Sequence, residues 1–218
     1  MTTEPLNLYH LAIQPRAPAE RRSPTIIMLH GRGVDENDLA RLAPRLDPRL
    51  LIISLRAPYK LPYGGYTWFD LKEGIGPDPT MFQKSLTKLL KILDILPRLY
   101  PIDKQQIYLF GFSMGAAMAY ALTLTAPEKV AGVIAHSGYL PENSGLTLQG
   151  KQFAHLRFYI AHGTSDQAMP ITLAQRAREV LQPIAAEVSY HEYATGHQIT
   201  AQSIDEASAW LSDHLRYA

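Results

Sequence analysis

The sequence contains no cysteine. That absence removes disulfides, thiolate nucleophiles, iron–sulfur clusters and cysteine-based zinc sites together. Long apolar runs are missing too: nothing approaches the ~18 consecutive apolar residues that a membrane helix requires. The N-terminal stretch MTTEPLNLYHLAIQPRAPAERRSP lacks the apolar block of a secretory signal. An excess of one charge is also absent. Lys and Arg total 21 against 20 Asp and Glu, a net charge of +1, so no global field draws the chain to nucleic acid or an anionic membrane. These absences together predict a cytoplasmic protein with no nucleic-acid partner and no integral membrane association.

What is present is a globular composition: 46% hydrophobic and 19% charged residues in 218. That length predicts one domain, residues 1–218, able to bury a core and still carry a cleft. Apolar runs at 25–29, 50–55, 106–110, 130–136, 155–161 and 186–193 read as strands, with an opening strand at 6–13. Helical patterns fall at 35–46, 80–96, 113–125, 170–181 and 199–215, with Pro97 expected to end the second. The β-α alternation predicts an α/β fold, a mostly parallel central sheet with helices on both faces. Two connections stand out. Residues 56–79 form a long loop rich in Pro, Gly and Tyr, a length that usually signals function. Residues 141–152 are short and mostly polar, a poor apolar cap.

The strongest chemical signal is Gly111-Phe112-Ser113-Met114-Gly115, placed between a strand pattern and an Ala-rich helix pattern. This is G-x-S-x-G in the strand–turn–helix setting of a nucleophile elbow. Side chains two residues to either side of the Ser would collide where strand and helix approach, hence the glycines. A hydroxyl nucleophile needs a base, and the base an orienting acid. In this architecture they follow in the order Ser, Asp or Glu, His. That order excludes His10 and His30 and leaves His136, His155, His162, His191, His197 and His214. The base belongs on the loop after the last strand, where His197 lies; His191 falls in the strand and His214 in the final helix. Asp166 is the only carboxylate on the preceding loop, 161–166. His162 beside it reads as structural.

An acyl-transfer site also needs two N–H groups for the developing oxyanion. The residue after the nucleophile, Met114, supplies one. His30-Gly31-Arg32-Gly33, directly after an early strand, supplies the other, assigned to Arg32. The Arg32 guanidinium is left open between solvent and an acidic substrate. Asp35, Glu36 and Asp38 follow closely and read better as an N-cap and first-turn anions than as a metal site. No metal and no organic cofactor is expected.

With these residues in view, the chain resembles the phospholipase/carboxylesterase family of α/β-hydrolases, which includes bacterial carboxylesterases and acyl-protein thioesterases. The resemblance rests on Leu29-His30-Gly31-Arg32-Gly33-Val34-Asp35-Glu36-Asn37-Asp38-Leu39, on Arg56-Ala57-Pro58, on Trp68-Phe69-Asp70, on the elbow, on His162-Gly163 leading to Asp166, and on Gly196-His197. It implies an α/β-hydrolase fold, a Ser113–Asp166–His197 triad and oxyanion amides at Arg32 and Met114. The thioesterase branch usually has Leu and Gln at those two amide positions, so the chain looks more like the bacterial esterase branch.

The expectation is therefore a serine carboxylesterase acting on short- to medium-chain esters through an acyl-enzyme, with no large cap domain and a small ester as its partner. The loop 56–79 carries Tyr59, Tyr63, Tyr66, Trp68 and Phe69, and two readings stay open for it: its aromatics anchor it to the body of the domain, or it walls the acyl site through Tyr66, Trp68 and Phe69. The alternatives are a lysophospholipase or acyl-protein thioesterase with the same triad, and a catalytically silent binding protein on the same fold. A homodimer is left open.

Overall fold

The computed structural model describes residues 8–17, 22–72, 76–142 and 153–216. In chain order the strands and helices are β1 (His10–Ile13), β2 (Ser23–Leu29), α1 (Asn37–Ala40), β3 (Leu51–Leu55), β4 (Tyr59–Lys60), β5 (Tyr66–Thr67), β6 (Leu71–Lys72), β7 (Gly76–Pro77), α2 (Pro79–Leu99), β8 (Ile102–Phe112), α3 (Met114–Thr125), β9 (Gly132–His136), β10 (Arg157–Gly163), α4 (Thr172–Leu181), β11 (Glu187–Tyr193) and α5 (Ala201–His214). Short 3-10 turns occupy Ala43–Arg45 and Pro127–Lys129.

Among the described residues, seven strands join in the order β1-β3-β2-β8-β9-β10-β11. Only the β1–β3 pair is antiparallel. Strands β2, β3 and β9 are buried at every position, as a parallel strand covered on both faces must be. The pleat divides these apolar residues between two layers. Ile27, Leu29, Ile53, Leu109, Val133 and Ile160 pack under α2, α3 and α4. Their neighbours Ile26, Met28, Ile52, Phe110, Ile134 and Tyr159 pack under α1 and α5. The α/β sheet with helices on both faces is thus as the sequence predicts.

Local chemistry sets several boundaries. An Asp78 N-cap, accepting from the Met81 N–H at 2.9 Å, starts α2. A Thr200–Ser203 capping box starts α5. Helix α3 is buried from Met114 to Leu124, which suits its Ala-rich sequence, since small side chains let it lie close to the sheet. Three expectations change. Pro97 does not end α2, which runs on to Leu99; a proline in the last turn forfeits one N–H bond without blocking the residues after it. The 35–46 helix is broken into α1 and a 3-10 turn that contains Pro44. The 56–79 loop holds two small hairpins, β4–β5 and β6–β7. The polar segment 141–152 lies almost wholly outside the described residues.

The sheet also brings the chemistry to one edge. Leu29 and Gly111 are register partners at the carboxyl ends of β2 and β8, so the 30–33 turn emerges beside the elbow. Strands β10 and β11 end in register too, Gly163 against Tyr193, which sets the Asp166 and His197 loops side by side.

Candidate active site

Ser113 sits between β8 and α3 at φ 55°, ψ −119°, a sparsely populated conformation for a residue with a Cβ. The turn is held by its neighbours. The Ser113 N–H donates to His136 O at 2.9 Å, and the Ala116 N–H to Ser113 O at 3.0 Å. A Cβ on Gly111 would overlap the Ala116 backbone, and one on Gly115 the Leu29 carbonyl oxygen. Both motif glycines are therefore required by contact.

His197 Nε2 lies 2.9 Å from Ser113 Oγ, and His197 Nδ1 lies 2.7 Å from Asp166 Oδ2. A carboxylate only accepts, so Nδ1 carries the proton and Nε2 turns its lone pair to the serine hydroxyl. Asp166 Oδ1 accepts from the N–H groups of Ala168 at 2.9 Å and Met169 at 2.8 Å. Burial works against ionisation of Asp166, but the Met169 N–H, His197 and the Ala168 N–H outweigh it and hold the carboxyl below its ordinary range. His162 takes the structural position expected of it: fully buried, its Nε2–H donates to Met169 O at 2.7 Å and braces the turn that cradles Asp166. His136 is also structural. Burial first, then the neighbouring His162 and His197, depress its pKa to about 3, and it spans Ser137 Oγ and Ser203 Oγ, 3.0 Å from each.

Above Ser113 opens a groove of about 600 Å³, lined in part by Arg32, Val34, Leu42, Phe112, His197 and Ile199. Met114 provides the first N–H of α3, a group without a partner inside its own helix. The 30–33 turn is strapped to the long loop: the Gly33 N–H donates to Tyr66 O at 2.9 Å, and the Tyr66 N–H to Val34 O at 2.8 Å. The Arg32 guanidinium is turned along this strap, to Tyr63 OH and Asp70 Oδ1, both at 3.2 Å.

The family model of phospholipases and carboxylesterases matches residues 10–215. The chain belongs to the phospholipase/carboxylesterase family. As a member it is a serine hydrolase with the α/β-hydrolase fold, and no large cap is seen among the described residues. Acyl-protein thioesterase 1 of Saccharomyces cerevisiae is 26% identical over 215 residues, covering 88% of this chain and 92% of that protein. The probable carboxylesterase SOBER1-like of Arabidopsis thaliana is 26% identical over 168 residues, 73% of this chain and 64% of that protein. The carboxylesterase of Bacillus cereus superposes with a TM-score of 0.84 at 24% identity, over 94% of each chain.

Within this family fold, two of the expected pocket residues belong elsewhere. Trp68 and Phe69 are 0% exposed. The Trp68 indole N–H donates to His30 O at 2.9 Å, and the Phe69 ring packs on Phe82 with centroids 5.3 Å apart. They are core residues that anchor the loop. Tyr66 does not line the groove either; it stacks on Arg56, 4.7 Å from the guanidinium to the ring centre. The groove wall comes instead from the α1 side and from the segment after His197.

The carboxylates near His30 also part ways. Asp35 accepts from the Asn37 N–H at 2.9 Å, Asp38 pairs with Arg41 at 2.9 Å, and Glu36 takes the Arg56 guanidinium, Nη2 to Oε1 2.6 Å. Glu36, read as a first-turn anion, is in fact buried, and Arg56 holds it below the usual carboxylate range. Arg56 lies between the Tyr9 and Tyr66 rings, so this pair fixes the base of the strap. The sequence offered only the Arg56-Ala57-Pro58 motif as a hint of it.

Proposed function

We propose that the protein is a serine carboxylesterase that cleaves short- to medium-chain carboxylic esters through an acyl-enzyme. The observation that carries this reading is the unbroken hydrogen-bond chain Ser113–His197–Asp166 at the floor of an open groove. Ser113 Oγ attacks the acyl carbon while its proton passes to His197 Nε2. Asp166 holds the imidazole tautomer and stabilises the imidazolium. The Arg32 and Met114 N–H groups receive the negative charge that develops on the carbonyl oxygen. His197 then protonates the leaving alcohol. A water that yields its proton to His197 opens the acyl-enzyme, releasing the acid and restoring Ser113.

The groove supports an uncharged acyl group of modest length. Val34, Leu42, Phe112 and Ile199 supply apolar wall, and both lining arginines already have carboxylate partners, Arg32 with Asp70 and Arg41 with Asp38. An open groove shields only part of each methylene, so the gain per CH₂ falls short of the ~0.8 kcal/mol of full burial and preference peaks early. A second reading, the same triad acting on acyl thioesters, is favoured by relatives named acyl-protein thioesterases.

Two measurements test these readings. Ser113→Ala and His197→Ala should each keep the fold and lose on the order of 10⁴-fold in ester turnover, because the groups act as a unit. A folded Ser113→Ala protein that retains more than about a tenth of the activity refutes the triad. A panel of aryl esters of increasing acyl length, a lysophospholipid and an acyl thioester then separates the substrates. Monotonic improvement toward long acyl chains, or a preference for the thioester, moves the assignment to the alternatives.

A further inference from the structure

His30 is excluded as a base by its place before Ser113, yet it lies at the end of β2 with 0% exposure. Its ring touches two backbone groups of opposite kind. Nδ1 is 2.6 Å from Gly31 O, which only accepts, and Nε2 is 3.0 Å from the Ala57 nitrogen, which only donates. One state satisfies both: a neutral imidazole with its proton on Nδ1. Burial favours that uncharged form. The Trp68 indole closes the cage by bonding His30 O, with the two ring centroids 5.7 Å apart.

The geometry of the peptide unit carries the consequence to the site. The Gly31–Arg32 bond is trans, and in a trans peptide the C=O and the following N–H point in opposite directions. A ring that captures Gly31 O from the core side therefore turns the Arg32 N–H away from the core. Gly31 and Arg32 line the same groove as Ser113 and His197. We propose that His30 is a positioning residue for the oxyanion donor: through Gly31 O it fixes the peptide plane that presents the Arg32 N–H to the reacting carbonyl. This rests on the esterase reading above, in which that N–H serves the oxyanion.

Two conservative variants separate the two ring contacts. Asparagine places its amide nitrogen where imidazole Nδ1 stands, so His30→Asn keeps a donor for Gly31 O and loses the Ala57 bond. Glutamine reaches the Nε2 position, so His30→Gln can accept from Ala57 and leaves Gly31 O without its donor. On an aryl ester, kcat should fall about 10²-fold in His30→Gln, near the loss of one oxyanion donor, and about tenfold or less in His30→Asn, with KM within about threefold in both. Affinity for a boronic acid that forms a tetrahedral adduct on Ser113 should fall in step with kcat. A purely structural role moves both variants equally and in proportion to their melting temperatures. Equal kcat in the two, the reverse order, or a loss confined to KM overturns the proposal. If the variants fail to fold, ¹⁵N NMR of the wild-type protein at neutral pH decides: the His30 proton should sit on Nδ1, with Nε2 unprotonated. A proton on Nε2 overturns it. Wild-type protein that turns over no ester refutes the esterase reading instead, and the NMR result then judges the peptide clamp by itself.

Discussion

The elbow stores strain, and two substitutions at one position should reveal it. Ser113 holds φ 55°, ψ −119°, where a Cβ costs about 1–3 kcal/mol. Ser113→Ala retains the Cβ and hence the strain. Ser113→Gly removes the Cβ, at the expense of about 0.5–1 kcal/mol in added unfolded-state freedom. Both variants lose the 2.9 Å contact with His197, so comparing them isolates the backbone. The glycine variant should be the more stable by about 1 kcal/mol, or roughly 2–4 °C in Tm for a chain of this size. Urea titration with equal m-values, supported by thermal melting, measures the difference. An alanine variant as stable as the glycine variant, or more so, would show that the turn is relaxed and that a different force holds Ser113 in place.

Trp68→Ala should cost about 3–5 kcal/mol, as removal of a large core side chain does, because the ring is 0% exposed and its indole bond to His30 O is lost. A loss below about 1 kcal/mol accompanied by a changed acyl preference would return Trp68 to the pocket wall. Asp47 tests linkage with pH. The Arg49 side chain holds its carboxyl at about 2 instead of 3.8. The stabilisation is therefore present above about pH 4 and lost as pH falls toward 2, on the order of 2 kcal/mol. The stability difference between wild type and Asp47→Asn should shrink over that interval; a difference that stays constant refutes the ion-pair account.

Chain order and local pattern were enough to bring Ser113, Asp166 and His197 together on paper, because loops at the carboxyl edge of a parallel sheet must be neighbours. Their hydrogen-bond distances follow that reading. What the sequence obscured are contacts made by long-range packing. An aromatic cluster on a long loop looks the same in one dimension whether it faces a substrate or the core, so only packing decides that Trp68 and Phe69 face the core. Glu36 has the spacing of a helical-turn anion, and only Arg56, 20 residues on, reveals it as the buried half of an ion pair. Pro97 is a helix breaker by type, but its effect depends on how many residues follow it in the helix. The role of His30 was hidden for a related reason: its partners are backbone groups, which carry no signature in the side-chain pattern.

The order of the strands also divides the site into parts of unequal firmness. Ser113 leaves β8, near the middle of the sheet, whereas His197 follows β11, which among the described residues is an edge strand paired only with β10 and half-buried over most of its length. The Asp166 and His197 loops are tied to each other, Thr164 N–H to Tyr193 O at 2.8 Å and Ser165 N–H to Thr195 O at 3.0 Å. The Asp166 loop follows the interior strand β10 and so anchors the His197 loop at the rim of the sheet. Release of β11 would carry His197 away from Ser113 while the elbow and the Asp166 loop after β10 stay folded, and sub-global openings of this kind lie below the energy of complete unfolding. Ester turnover should consequently vanish at a lower urea concentration than the far-ultraviolet circular dichroism, with β11 amides exchanging ahead of those in β8. Coincident loss of activity and secondary structure would mean that β11 leaves only when the whole sheet does.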